Sequence, residues 1–163
     1  MQSRLRNFQT VEIDTQLVTD TAIYATGDVL VATVAIPVIQ AIPAGAVRAN
    51  IVQVALIDKD AQSGLMDIVF FDQNVSLGTI NAPISISDAN AQALVQSVPV
   101  TTYTTLTAGG VSSANIVLAT PIFFQTMPGS PNLFVGIISR DAKTYTASGL
   151  FLRLSIQFIS EEV

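Results

Sequence analysis

Apolar and polar residues alternate with a period of two along much of this chain. The clearest stretch lies near the C-terminus. There Leu150, Leu152, Leu154, Ile156 and Phe158 share one face, and Phe151, Arg153, Ser155, Gln157 and Ile159 share the other. One face is wholly apolar and the other mixed, which predicts a half-buried strand of an antiparallel sheet. The same reading predicts strands over 7–13, 28–36, 47–57, 65–71, 100–106, 113–119, 122–126 and 132–138. The polar, Gly-ended run Asp58-Lys59-Asp60-Ala61-Gln62-Ser63-Gly64 separates two apolar runs and reads as a hairpin loop. Pro121, Pro128 and Pro131 cannot donate to a ladder and are expected at strand ends or edges.

One helix is expected. Ser87 can cap it, Asp88 suits its first turn, and Ala89, Ala91, Ala93 and Leu94 carry it to about Ser97, before Pro99. About nine strands and one short helix predict an all-β fold, an antiparallel β-sandwich of jelly-roll-like form. No boundary or fixed repeat is visible, so 1–163 is read as a single domain, with 1–6 as a possible flexible N-terminal arm.

Charge changes the picture. From Ala89 to Ser139 there is no Asp, Glu, Lys, Arg or His, a run of 51 residues. An ordinary domain is about a quarter charged. Eighteen residues of the run are Ser, Thr, Asn or Gln, which argues against a membrane span. It reads as strands whose outward faces are neutral and hydroxyl-rich, of the kind that meets another protein. The shorter charge-free run 29–47 is broken by Pro37, Pro43 and Gly45, and begins with a β-branched series. It reads as strand, connection and strand, so no membrane partner is expected. The net charge of -5 argues against nucleic acid. The N-terminus has Arg4 and Arg6 but no apolar run after them, so it does not read as a secretory signal.

The chemistry available is narrow. The chain has no His and no Cys, which removes Ser-His-Asp, Cys-His and the usual zinc sites and leaves no disulfide framework. Asp67 and Asp72 flank an apolar strand, but alternation would put them on opposite sides, unlike a glycosidase pair. Asp58, Asp60 and Gln62 have the spacing of the first oxygen ligands of a calcium loop. Ser63 at the sixth position and Val69 at the twelfth depart from that pattern, and a solvated loop is the plainer reading. Phe70-Phe71 and Phe123-Phe124 each suggest core on one side and a partner on the other. Tyr24, Tyr103 and Tyr145 could stack a sugar ring, but nothing in the sequence groups them. No catalytic residue, cofactor or enzymatic activity is expected.

Three stretches carry a family resemblance. They are Val54-Ala55-Leu56-Ile57-Asp58-Lys59-Asp60 leading to Met66-Asp67-Ile68-Val69-Phe70-Phe71-Asp72, then Ile84-Ser85-Ile86-Ser87-Asp88-Ala89, and then Leu133-Phe134-Val135-Gly136-Ile137-Ile138-Ser139-Arg140 with Tyr145-Thr146-Ala147-Ser148-Gly149-Leu150 and the closing strand. Through these the chain resembles the decoration, or cement, proteins that coat the capsids of tailed bacteriophages. The resemblance implies a non-enzymatic viral structural protein, made in the host cytoplasm and bound to the virion exterior. It implies a homotrimer whose partners are itself and a major capsid protein. The interface candidates are Arg4 and Arg6 on the arm, Thr102 and Thr104 in the neutral segment, and Phe123 and Phe124. Two other readings stay open: a receptor- or glycan-binding head domain of a tail fibre or spike, and a jelly-roll coat subunit.

Overall fold

The strands pair from the outside of the chain inwards. A computed structural model describes residues 6–36, 48–107, 110–125 and 133–161. Nine strands occur among them: β1 (Arg6–Gln16), β2 (Val29–Ile36), β3 (Arg48–Asp58), β4 (Met66–Phe71), β5 (Leu94–Val100), β6 (Thr104–Thr107), β7 (Val111–Gln125), β8 (Leu133–Ser139) and β9 (Leu150–Glu161). β1 pairs with β9, β2 with β8, β3 with β7 and β4 with β5, all antiparallel. This is one long ribbon folded about the connection between β4 and β5. The successive pairs fall alternately into a five-stranded sheet, β1-β9-β3-β7-β6, and a four-stranded sheet, β2-β8-β4-β5. Winding a ribbon in this way makes a jelly-roll β-sandwich.

The two inner faces supply the core. β9 contributes Leu150, Leu152, Leu154 and Ile156, all fully buried, as its alternation predicts. They meet Ile51, Val54 and Leu56 of β3, Ile68 and Phe70 of β4, and Leu133, Val135 and Ile137 of β8. Each such side chain contributes about 1.5–3 kcal/mol on burial. Tyr24 and Tyr145 belong to the same core, with rings edge to face and centroids 6.3 Å apart.

A second, smaller core lies outside the four-stranded sheet. Every residue of β8 is buried, so both of its faces are covered. On the outer side Val29, Val69, Phe71, Phe134 and Ile138 pack with Val75, Leu77 and Ala93, with Ile86 against them. The chain between β4 and β5 therefore folds back over its own sheet. Thr33 donates its hydroxyl to the Val75 carbonyl at 2.5 Å, and Asn81 N–H donates to the Val29 carbonyl at 2.9 Å.

Four sequence expectations are corrected. The run 58–64 is no hairpin loop, because β3 and β4 lie in different sheets and the loop carries the chain from one to the other. The helix is only α1 (Asp88–Ala91), capped by the Ser87 hydroxyl, which accepts from Asn90 N–H at 3.2 Å. Leu94–Val100 instead forms β5, because pairing with β4 satisfies its backbone along the whole length. The strands expected at 113–119 and 122–126 are one strand, β7, and Pro121 sits inside it. Between the pairs Ile51–Ile122 and Gln53–Val117, residues 118–121 stand opposite Val52 alone, and a bulge of this kind accepts a proline. Phe70 and Phe71 are both buried, one in each core, so that doublet offers no partner surface.

Candidate interaction surface

The outer face of the five-stranded sheet has no such cover from the described chain. Backbone register lays its side chains out in rows across the strands. Glu12, Ser155, Gln53 and Val117 stand side by side, then Asp14, Arg153, Ala55 and Asn115, then Gln16, Phe151, Ile57, Ser113 and Thr104. The charges lie at one end. Arg153 Nε donates to Asp14 Oδ1 at 2.6 Å and its terminal nitrogen to Oδ2 at 2.8 Å, with Glu12 at 3.7 Å. That bidentate bond holds the Asp14 carboxyl below the usual carboxylate range and pushes the guanidinium further up.

From β3 outwards the described side chains of this face are neutral, and that of Arg48, at the start of β3, lies outside them. Gln53 donates its amide to Asn115 Oδ1 at 2.5 Å. On β7, Val117 is 76% exposed and Phe123 64%, and on β6 Leu106 is 57% exposed. All four residues of β6 are exposed. Of the interface candidates, Thr104 is in β6, Thr102 is exposed in the loop before it, and Phe123 points outwards from β7. Arg6 is the first residue of β1, so its backbone belongs to the sheet and not to an arm. Arg4 lies outside the described residues, as do the side chains of Arg6 and Phe124. Leu106 was not singled out by sequence, because an apolar residue in a strand reads by default as core.

One end of the sandwich gathers the polar groups. Asp58 is fully buried and accepts from Asp60 N–H at 2.9 Å, from Ser63 N–H at 2.7 Å and from Ser112 Oγ at 3.4 Å. Asp60 accepts from Thr146 N–H at 2.7 Å and from its hydroxyl at 3.0 Å, and Gln62 donates to the Asp60 carbonyl. The three calcium candidates thus hold the sheet-to-sheet loop in shape. Among the described residues no three acidic side chains converge on a point. Tyr103 donates to the Gly64 carbonyl at 2.7 Å. Burial pushes the hydroxyls of Tyr103 and Tyr145 well up, with Asp58 and Asp141 adding to the effect. The buried atoms Asp141 Oδ1 and Tyr145 Oη have no partner among the described residues. An open depression of about 450 Å³ beside them is lined by Thr21, Asp60, Gln62, Thr144, Tyr145 and Thr146. The tyrosines are thus brought together, but the rings of Tyr24 and Tyr145 are buried and present no face for a sugar to stack on.

Among the described residues no helix is long and apolar enough to cross a membrane. No protein-family model matches the sequence, and no curated protein matches it. Several solved structures are similar in fold at low identity. The extra small virus particle of the giant freshwater prawn Macrobrachium rosenbergii aligns with TM-score 0.42 and 15% identity, covering 100% of this chain and 84% of that one. The semi-empty particle of M. rosenbergii nodavirus aligns with TM-score 0.41 and 12% identity, covering 100% and 98%. A protein of Bacillus endospore appendages aligns with TM-score 0.36 and 13% identity, covering 99% and 93%. At such scores the likeness carries no argument about function.

Proposed function

We propose that this chain is a viral structural protein that works by assembling with itself and with a capsid. In the finer form of the proposal it is a decoration protein of a tailed phage. It binds the capsid exterior as an oligomer, a homotrimer in the simplest case, and stabilises the shell. The jelly roll serves viral capsid domains, lectins and cupins alike, so function must be read from the surface and not from the fold.

One observation carries the reading. The β8 and β4 part of the four-stranded sheet is covered by its own chain, whereas the β7 and β6 side of the five-stranded sheet shows water a neutral surface with Val117, Phe123 and Leu106 exposed. Such a face can be buried without the desolvation cost of charges. Anything that binds the assembled shell and not its free subunits stabilises the shell by mass action.

The test is co-sedimentation of the purified protein with emptied phage heads, together with light scattering of the protein alone. Saturable binding to heads and an oligomeric mass are expected. A monomer that binds no shell would overturn the reading. Closed particles formed by the protein alone would favour a coat subunit instead. Retention on glycan columns without shell binding would favour a tail-fibre head.

A further inference from the structure

The four edge strands differ in how they are guarded against pairing with another chain. β1 carries Glu12 and Asp14. The start of β2 is covered by residues 80–82, through the Asn81–Val29 bond and a bond from Val29 N–H to the Ala82 carbonyl, both at 2.9 Å. β5 contains Pro99, which has no N–H to offer. Charges, cover and proline are the usual devices against edge-to-edge association. Among the described residues β6 has none of these three, and only its length of four residues and a register shift between Thr105 and Thr107 set it apart from a regular edge. Its sequence is Thr-Thr-Leu-Thr, all exposed, and its partner β7 has no ionisable residue.

Charge makes this edge self-complementary. The chain carries a net charge of -5. Two copies meeting through β1 would set Glu12 and Asp14 against their own images. Two copies meeting through β6 set hydroxyls and Leu106 against their images, with no like charges opposed.

We propose that β6 is a homotypic pairing edge, along which a second copy of this chain adds its own β6, antiparallel, across a twofold axis. The two five-stranded sheets become one continuous sheet. Main-chain hydrogen bonds supply the contact and Leu106 is covered by it. The inference rests on the self-assembly reading above and specifies where and with what symmetry one contact forms. It leaves the outer sheet face free for a shell or for a threefold contact.

The chain has no cysteine, so single-cysteine variants report cleanly. Antiparallel pairing across a twofold brings residues at the axis to within about 4.5–5.5 Å of their own images, within disulfide reach. Among T104C, T105C, L106C and T107C, one or two adjacent positions should oxidise almost completely to covalent dimer. V117C and F123C, on the sheet face, should not. L106K should weaken dimerisation at least tenfold by sedimentation, with unchanged circular dichroism. Cross-linking at V117C or F123C with none along β6 overturns the edge contact while self-assembly stands. Dimers cross-linked through β6 that bind no shell uphold the edge contact and overturn the shell reading. A wild-type monomer with no cross-link at any position overturns both.

Discussion

The Cβ that Gly136 lacks would lie 2.4 Å from Leu77 Cδ1. Leu77 therefore rests directly on the backbone of β8, and the outer core is closed by a glycine in the middle of a strand. G136A should cost about 1–3 kcal/mol, because the leucine must leave its site. L77A alone should cost about 2–5 kcal/mol. The double variant should cost less than the two together, since the clash disappears with the leucine. Urea denaturation of the four proteins checks this, and strict additivity would refute the contact.

Tyr24 and Tyr145 pack against each other but differ at their hydroxyls. Tyr24 accepts from Asp20 N–H at 2.5 Å and donates to the Leu30 carbonyl at 3.3 Å. The Tyr145 hydroxyl is buried and has no partner among the described residues. Y24F should lose about 1–2 kcal/mol, and Y145F should be neutral or slightly stabilising. A larger loss for Y145F than for Y24F, by thermal or urea unfolding, would show that the Tyr145 hydroxyl has a partner.

Alkaline pH should unfold the protein through the same end of the sandwich. Burial raises the folded pKa of Tyr103 and Tyr145 above the ordinary 10.0. The unfolded chain then releases those protons first. Their stabilisation is complete below pH 10 and is lost as pH rises above it. The urea midpoint should hold through pH 9 and fall steeply by pH 11, and Y145F should fall less steeply. A fall that starts below pH 9 and is unaltered in Y145F would assign the transition elsewhere.

Charges placed on the neutral surface should act on assembly and not on folding. Thr104 and Val117 are exposed, so T104K and V117D should shift monomer stability by no more than about 0.5 kcal/mol. Both should reduce the oligomer mass seen by light scattering. Lys59 donates to Gln16 Oε1 at 2.7 Å and sits 5.8 Å over the Phe151 ring, on the charged side of the same sheet. K59A should leave assembly as in wild type. Equal tolerance at all three positions would remove the case for a partnered surface.

Much of the fold was legible because strand periodicity is local. The apolar row of β9 is written in Leu150, Leu152, Leu154 and Ile156, and the cap of α1 in Ser87. The boundary between α1 and β5 was not legible, because Ala93 and Leu94 suit a helix and only pairing with β4 makes 94–97 a strand. Pro121 read as a strand end, because a bulge depends on what stands opposite. The candidate surface was half legible. Its neutrality is compositional, but the same absence of charge in β8 has another cause, burial on both faces by the chain itself.

The sequence by itself determined the strands whose alternation is local, such as β9 with its apolar row, and that no His or Cys chemistry is available. Those properties depend on each residue and its near neighbours. Only the tertiary structure decided which sheet each strand joins and which apolar side chains stay in water. Phe71 and Phe123 look alike in sequence, each in a doublet on an apolar strand. Phe71 is buried because the segment between β4 and β5 folds over it, and Phe123 is exposed on the outer side of β7. That difference arises from contacts between distant parts of the chain, and local alternation holds no record of them.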